Sequence, residues 1–318
     1  MNNRNTILAG LLAVQLVLVV IMFWRSDDGA LPETALLTGL RADAINTVQI
    51  ADEDGGTLVM RRREKGWQVA IEKDVWYPAD GDKVDSLVTK LATLNSSRLV
   101  TRTRASHGRL KVADQKFGRR LELAGDGKEP AVLYLGTAPN HKSIHVRVAG
   151  DDKVYLVKDL AAWEVQVDPG TWWRTSYLDL DPDRLTEIRL KNDKDSFVLI
   201  RRENKADWFL QGSSMPLNRE KLNGFLEDVA QLSVTEIIPP SAAKPEGTPL
   251  AEITMKGDGR ETELLIWDRK DENSDHPVKS SADPFYAMAG RYAVDELLNS
   301  VGIDLIDTGS SLETPKKK

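Results

Sequence analysis

The sequence predicts an α+β protein: an N-terminal single transmembrane helix followed by two tandem repeats, each a mainly antiparallel sheet with a packed amphipathic helix. Three observations predict it. The run from Ile7 to Trp24 carries no charge. The stretch WYPADGDKVDSLVTKLATL at 76–94 returns in similar form as MPLNREKLNGFLEDVAQL at 215–232. Each copy is flanked by short segments of alternating apolar and polar residues, separated by turns rich in Gly, Asp and Asn.

The first element is ILAGLLAVQLVLVVIMFW, residues 7–24, in which only Gln15 is strongly polar. At the rise of an α-helix it covers roughly 27 Å, near the thickness of a hydrocarbon core. Trp24 stands at one end, where an amphipathic ring suits the membrane interface. The run ends in the bulky Met22-Phe23-Trp24-Arg25, which disfavours signal cleavage, although Asp28-Gly29-Ala30 offers small residues nearby. No cysteine follows, which excludes lipoprotein processing. The expectation is an uncleaved anchor. Arg4 precedes the run and Arg25 and Arg41 follow it, so the charge bias is weak. The commoner arrangement places tail 1–6 in the cytoplasm and the large folded part outside it. Residues 25–42, RSDDGALPETALLTGLRA, read as a tether.

The two repeats are expected over 43–180 and 181–308, with a polar tail at 309–318. Each opens with a β-hairpin. Val48 and Ile50 alternate with polar neighbours, as Ile188 and Leu190 do. LVMRR at 58–62 matches VLIRR at 198–202, and GWQV at 66–69 matches DWFL at 207–210. The turns fall at Asp52–Gly56 and Asn192–Asp195. A helix follows in each half. Val84, Leu87, Val88, Leu91 and Leu94 form one stripe; Leu222, Phe225, Leu226, Val229 and Leu232 form the other, at the same helical spacing. Pro78 and Pro216 stand two residues before the expected N-caps, Asp80 and Asn218. The shared spacing of strand, proline, cap and stripe predicts an internal duplication.

Strands return after each helix. In the first half they are RRLELAG (119–125), AVLYLG (131–136), SIHVRVAG (143–150) and KVYLV (153–157). In the second they are LAEITMKG (250–257), TELLIWD (262–268) and PFYAMAG (284–290), followed by RYAVDELL (291–298). The joint between halves is expected near DLDPDRL, 179–185, and PPSAAKPEGTP, 239–249, is read as a loop.

The anchor, the block from GWQV through WYPADGDKVDSLVTKLATL, the LYLG strand and the pair HVRVAG and KVYLV resemble a bacterial membrane protein family, domain of unknown function 4340 (DUF4340). The resemblance runs from residue 43 onward and is clearest in the first half. It implies a place in the bacterial inner membrane, single-pass, with an extracytoplasmic C-terminal domain. It also implies a partner: an ABC-type permease or auxiliary membrane subunit of gliding-motility-type transporters. It supplies no catalytic residues to carry over.

Chemistry is sparse. The net charge of −6 and pI of about 5.4 argue against nucleic acid as a partner. The absence of cysteine excludes disulfides, thiol catalysis and Cys-based metal sites. His141 and His145 stand four apart, but in a loop entering a strand and without an HExxH glutamate, so they are read as an exposed pair rather than ligands. DLDPD begins like a calcium loop, then places Arg184 and Leu190 where glycine and glutamate are needed. Gly125-Asp126-Gly127 and Gly257-Asp258-Gly259 read as hairpin turns, not phosphate cradles. Ser106-His107 are adjacent, which does not aim one at the other. The expectation is therefore no catalytic, cofactor-binding or metal residues and no cofactor. Trp67 and Trp208 hold equivalent strand positions and are read as core. Trp172, Trp173 and Arg174 are read as a partner surface, because aromatic and arginine side chains concentrate in binding hot spots.

Together these features predict a membrane-anchored extracytoplasmic accessory subunit of an envelope complex, acting by protein contact beside an ABC-type transporter. The alternatives are a periplasmic module holding a lipid, glycan or peptide in a groove between the repeats, and an unrecognised hydrolase using a carboxylate site.

Overall fold

A computed structural model describes residues 12–20, 34–125, 127, 129–202 and 207–307. Of the expected anchor, residues 12–20 are helical with their apolar side chains exposed. Residues 7–11 and 21–24 lie outside the described residues, as do tail 1–6, the first half of the tether (25–33) and the polar tail. Among the described residues no helix is long and apolar enough to cross a membrane. The rest is a mixture of helices and mainly antiparallel sheets, in two compact units. The first holds Trp76–Trp172 and the residues up to Ala70; the second holds Trp173 onward and Ile71–Val75.

The first unit is built on a nine-stranded sheet. Its strands in chain order are β1 (Ile45–Asp52), β2 (Thr57–Arg63), β3 (Gly66–Glu72), β4 (Val75–Pro78), β5 (Arg98–Thr101), β6 (Arg119–Gly125), β7 (Ala131–Leu135), β8 (Ser143–Val148) and β9 (Val154–Lys158). Helix α1 (Gly81–Ala92) lies between β4 and β5 in the chain. The β1–β2 turn is tied by Asp52, whose Oδ1 accepts from Gly56 N at 2.7 Å and Asp54 N at 3.0 Å. Asp80 caps α1 by accepting from Lys83 N at 3.1 Å. The predicted stripe Val84, Leu87, Val88 and Leu91 is the buried face of this helix.

The second unit has an eight-stranded sheet. Its strands are β10 (Leu185–Lys191), β11 (Ser196–Arg201), β12 (Trp208–Leu210), β13 (Val234–Ile238), β14 (Ala251–Gly257), β15 (Arg260–Ile266), β16 (His276–Ser280) and β17 (Tyr286–Ala289). Helix α2 (Arg219–Ala230) lies between β12 and β13 in the chain, and α3 (Arg291–Asn299) follows β17. Asn218 caps α2 through Lys221 N at 3.1 Å. Leu222, Phe225, Leu226 and Val229 are buried, as the spacing predicts. Asp258 and Gly259 carry φ of 50° and 70°, the left-handed pair that a two-residue hairpin needs between β14 and β15.

The strand order is the same in both sheets. It reads β3-β2-β1-β6-β7-β8-β9-β5 in the first and β12-β11-β10-β14-β15-β16-β17-β13 in the second. Strand β4, beside β3, has no counterpart among the described residues. One expectation needs correction. The match of LVMRR with VLIRR is one residue out of register. Met60 pairs with Val48, whereas Leu199 pairs with Ile188, so Leu58 and Met60 correspond to Phe197 and Leu199. The first hairpin turn is one residue longer, and a slip of one residue would put the wrong side chains on the buried face. The segment RYAVDELL, which follows the last expected strand, is not itself a strand. It forms helix α3, burying Val294 and Leu297, whose spacing of three is helical.

Candidate functional site

Trp172, Trp173 and Arg174 do not form one surface. Trp172 is only 1% exposed, Trp173 is half-buried and Arg174 is exposed. The Trp172 indole Nε1 donates to the Gln166 carbonyl at 2.9 Å. Its own carbonyl accepts from Asp80 N at 2.8 Å, so the residue closes the start of α1. Leu305 does the same for α2, accepting from Asn218 N at 2.8 Å. The residue before each adds a second tie: Lys83 Nζ donates to Thr171 O at 2.6 Å, and Lys221 Nζ to Asp304 O at 3.0 Å. Trp172 is therefore a core residue with its polar handle satisfied inside the first unit. Trp67 and Trp208 are also buried, as expected.

A difference between the units marks the better candidate. In the first, Arg62 on β2 pairs with Trp67 on β3, and its guanidinium lies 4.8 Å from the indole centroid. Asp85 on α1 completes a clamp. Its Oδ1 accepts from Trp67 Nε1 at 2.8 Å and from the Arg62 guanidinium. Strand β4 then lines the edge of β3, burying Tyr77 and placing Trp76 under the Arg61 guanidinium, 3.6 Å from the ring centroid.

In the second unit the same register pairs Arg201 with Trp208. The helix position five after the cap is Asn223 rather than an aspartate. Arg201 donates to the Asp183 backbone carbonyl instead. The Trp208 indole N–H has no partner among the described residues. The segment 213–217 does not form a strand, so β12 is an edge three residues long. What remains is a cleft of about 1090 Å³ lined by Arg201, Trp208, Leu222, Asn223 and Leu226, with the half-exposed Met215 at its mouth. Arg201 is half-buried, whereas the other charged lining residues, Arg202, Arg219, Asp183, Asp207 and Glu227, are exposed. Chemically the cleft offers a short sheet edge, the apolar side chains of Leu222, Leu226 and Met215, and the half-buried Arg201 cation.

A second cleft, of about 840 Å³, carries Glu220, Asp228, Glu296 and Asp304. Burial raises the Asp228 pKa above the ordinary aspartate value, helped by the charges of Glu296 and Glu227. A carboxyl raised in the folded state favours folding at low pH, and this advantage is lost as pH rises through the folded value. Asp228→Asn should therefore raise the thermal midpoint at neutral pH, and the gain should fade as the pH falls through the raised folded value and be gone below about 4. Equal midpoints at neutral pH in a calorimetric scan would overturn this. Among the described residues no group of three His, Asp or Glu side chains could hold a metal ion.

His107, His145 and His276 serve the fold. His145 turns Nδ1 to within 2.7 Å of the Thr137 carbonyl, and His141 lies exposed. His107 Nε2 is 2.8 Å from the Asp152 carbonyl, while the Ser106 hydroxyl is 3.1 Å from that of Thr103, so Ser106 and His107 are not a catalytic pair. Asp181 of DLDPD caps a short turn by accepting from Asp183 N at 3.0 Å. His276, which the sequence did not single out, is buried between the Trp267 carbonyl at 2.9 Å and Asp295 at 3.2 Å, tying α3 to the sheet.

No curated protein and no solved structure matches the chain. One family pattern does, over residues 67–252, a span that starts at Trp67 and includes every residue lining the larger cleft. That span is more than half of the 318 residues, and the chain belongs to the family described as Domain of unknown function (DUF4340).

Proposed function

We propose that this protein is a membrane-anchored extracytoplasmic accessory subunit of an envelope complex, associated with an ABC-type transporter, and that it acts by protein contact. We also propose that its two units arose by internal duplication. The equal strand order and the paired ties at Trp172 and Leu305 support the duplication. The uncharged run 7–24, helical and exposed over residues 12–20, supports an anchor. Anchoring raises the effective concentration for any partner in the same membrane, so modest contacts suffice. The observation that carries the contact reading is the open cleft beside β12, which presents a sheet edge and apolar side chains where the first unit has its own strand. The chain has no GxxxxGK[ST] loop, so a partner supplies the energy of transport in this reading.

The test is detergent pull-down from native membranes with the full chain, joined to mass measurement of the mature protein. A mature chain retaining residues 7–24 and a co-purifying permease are expected. A mature chain beginning near residue 30 would remove the anchor. Recovery of no membrane partner, with hydrolytic turnover by the purified protein, would replace the contact reading with an enzyme.

A further inference from the structure

The geometry points to an occupant for the larger cleft: we propose that it takes an extended acidic segment of a partner protein. The segment adds to the free edge of β12 and sets a carboxylate between Arg201 and Trp208.

The first unit shows what fits such a place. There a four-residue strand, Val75–Pro78, lies along the edge of β3, and its Tyr77 is fully buried. The second unit has the corresponding strand β12, and no strand pairs along its outer edge among the described residues; there Ser213 N takes the Leu210 carbonyl at 3.1 Å and leaves the Trp208 backbone groups facing the cleft. Unpaired backbone groups on a sheet edge are a template for strand addition, in which main-chain hydrogen bonds give affinity and side-chain pockets give selectivity.

Charge sets the selectivity. In the first unit the Arg–Trp pair is neutralised within the chain by Asp85, which accepts from both Trp67 and Arg62. In the second, Asn223 stands at that helix position and brings no charge. Among the described residues Arg201 keeps only a backbone carbonyl, and the Trp208 N–H has no partner. A carboxylate from an incoming segment would meet both donors at the point where Asp85 meets them in the first unit. A hydrogen bond to a half-buried cation is stronger than one in open water. Asp183, Asp207 and Glu227 also line the cleft, but they are exposed and hydrated, so solvent screens them more than it screens Arg201. Leu222, Leu226 and the exposed Met215 receive the apolar side chains that alternate with the acidic ones along a strand.

This inference deepens the contact reading and rests on it, yet its test needs no transporter. The full chain in detergent is titrated against a fluorescein-labelled peptide of alternating valine and aspartate, with a valine–lysine peptide as control, by fluorescence anisotropy. The acidic peptide should bind and the basic one should not. Arg201→Glu should weaken binding by about tenfold or more, the loss expected for one charge-assisted contact. Asn223→Asp should weaken it similarly, because it rebuilds the internal clamp and fills the place of the incoming carboxylate. This variant changes one side chain in the cleft, and circular dichroism checks that it folds. Equal affinity for parent and Asn223→Asp, equal affinity for both peptides, or no binding of the acidic peptide by the parent would each overturn the proposal. Peptide binding that obeys these rules, with no permease in the pull-down, would sustain the cleft and defeat the transporter association alone.

Discussion

Trp172→Ala is expected to destabilise the first unit by about 3–5 kcal/mol, the usual cost of truncating a large buried aromatic side chain. The ring is among the largest fully buried side chains in the chain, and its removal leaves the Gln166 carbonyl without its donor. Its backbone accepts from Asp80, the cap of α1, so loosening of the ring reaches the helix start. Trp172→Phe separates the two parts of the effect. It keeps most of the burial and removes the N–H, at a cost of about 1–3 kcal/mol for the orphaned carbonyl. Urea unfolding followed by circular dichroism measures both. A midpoint for Trp172→Ala within error of the parent would show that the ring is not part of the core. The result bears on function as well. Loss of a partner in Trp172→Ala would report unfolding, so Arg201 and Asn223 are the positions at which contact can be tested with the fold intact.

The sequence made α1 and α2 legible because their determinants are local. Asp80 and Asn218 each bond to a backbone N–H three residues on, and the buried stripes follow one face. The α+β class and the hairpin turns were legible for the same reason. The strand register was not, because it depends on turn length: one extra residue in the first hairpin displaced the LVMRR match. The cleft was hidden by likeness. Pro78 and Pro216 stand at the same distance from their caps, yet the first lies in strand β4 and the second in a segment that pairs with no strand of the sheet. Trp172 was misread because its neighbours are distant in sequence. Asp80 and Lys83 meet it and Thr171 only after the unit closes.

The same kind of distant contact governs Gly136, the glycine that ends the LYLG strand. A Cβ there would stand 1.9 Å from the Leu110 carbonyl oxygen and 2.7 Å from a methyl of Val112. That carbonyl is fixed, since it accepts from Thr137 N at 3.0 Å. The excursion carrying Leu110 and Val112 covers a second cluster formed with Tyr134 and Val154. Arg147 is buried beside this cluster, donating to the Val112 carbonyl at 2.6 Å with its guanidinium 4.5 Å from the Tyr134 ring centroid. Overpacking usually costs 1–3 kcal/mol, when flexible side chains give way. Here the obstacle is backbone, so Gly136→Ala should cost about 3 kcal/mol or more, with the excursion lifted from the sheet. The second unit shows that the strand itself does not demand glycine. Trp267 takes the same register, donating to the Pro277 carbonyl at 2.9 Å as Gly136 donates to that of His145 at 2.8 Å. The expected signature is therefore local: faster tryptic cleavage within 102–116, together with a lower urea midpoint. Gly224→Ala, on α2 with open space around its Cα, is the control and should stabilise by up to about 1 kcal/mol. If Gly136→Ala keeps the parent's midpoint and cleavage pattern, the excursion does not hold the sheet as closely as Leu110 and Val112 indicate.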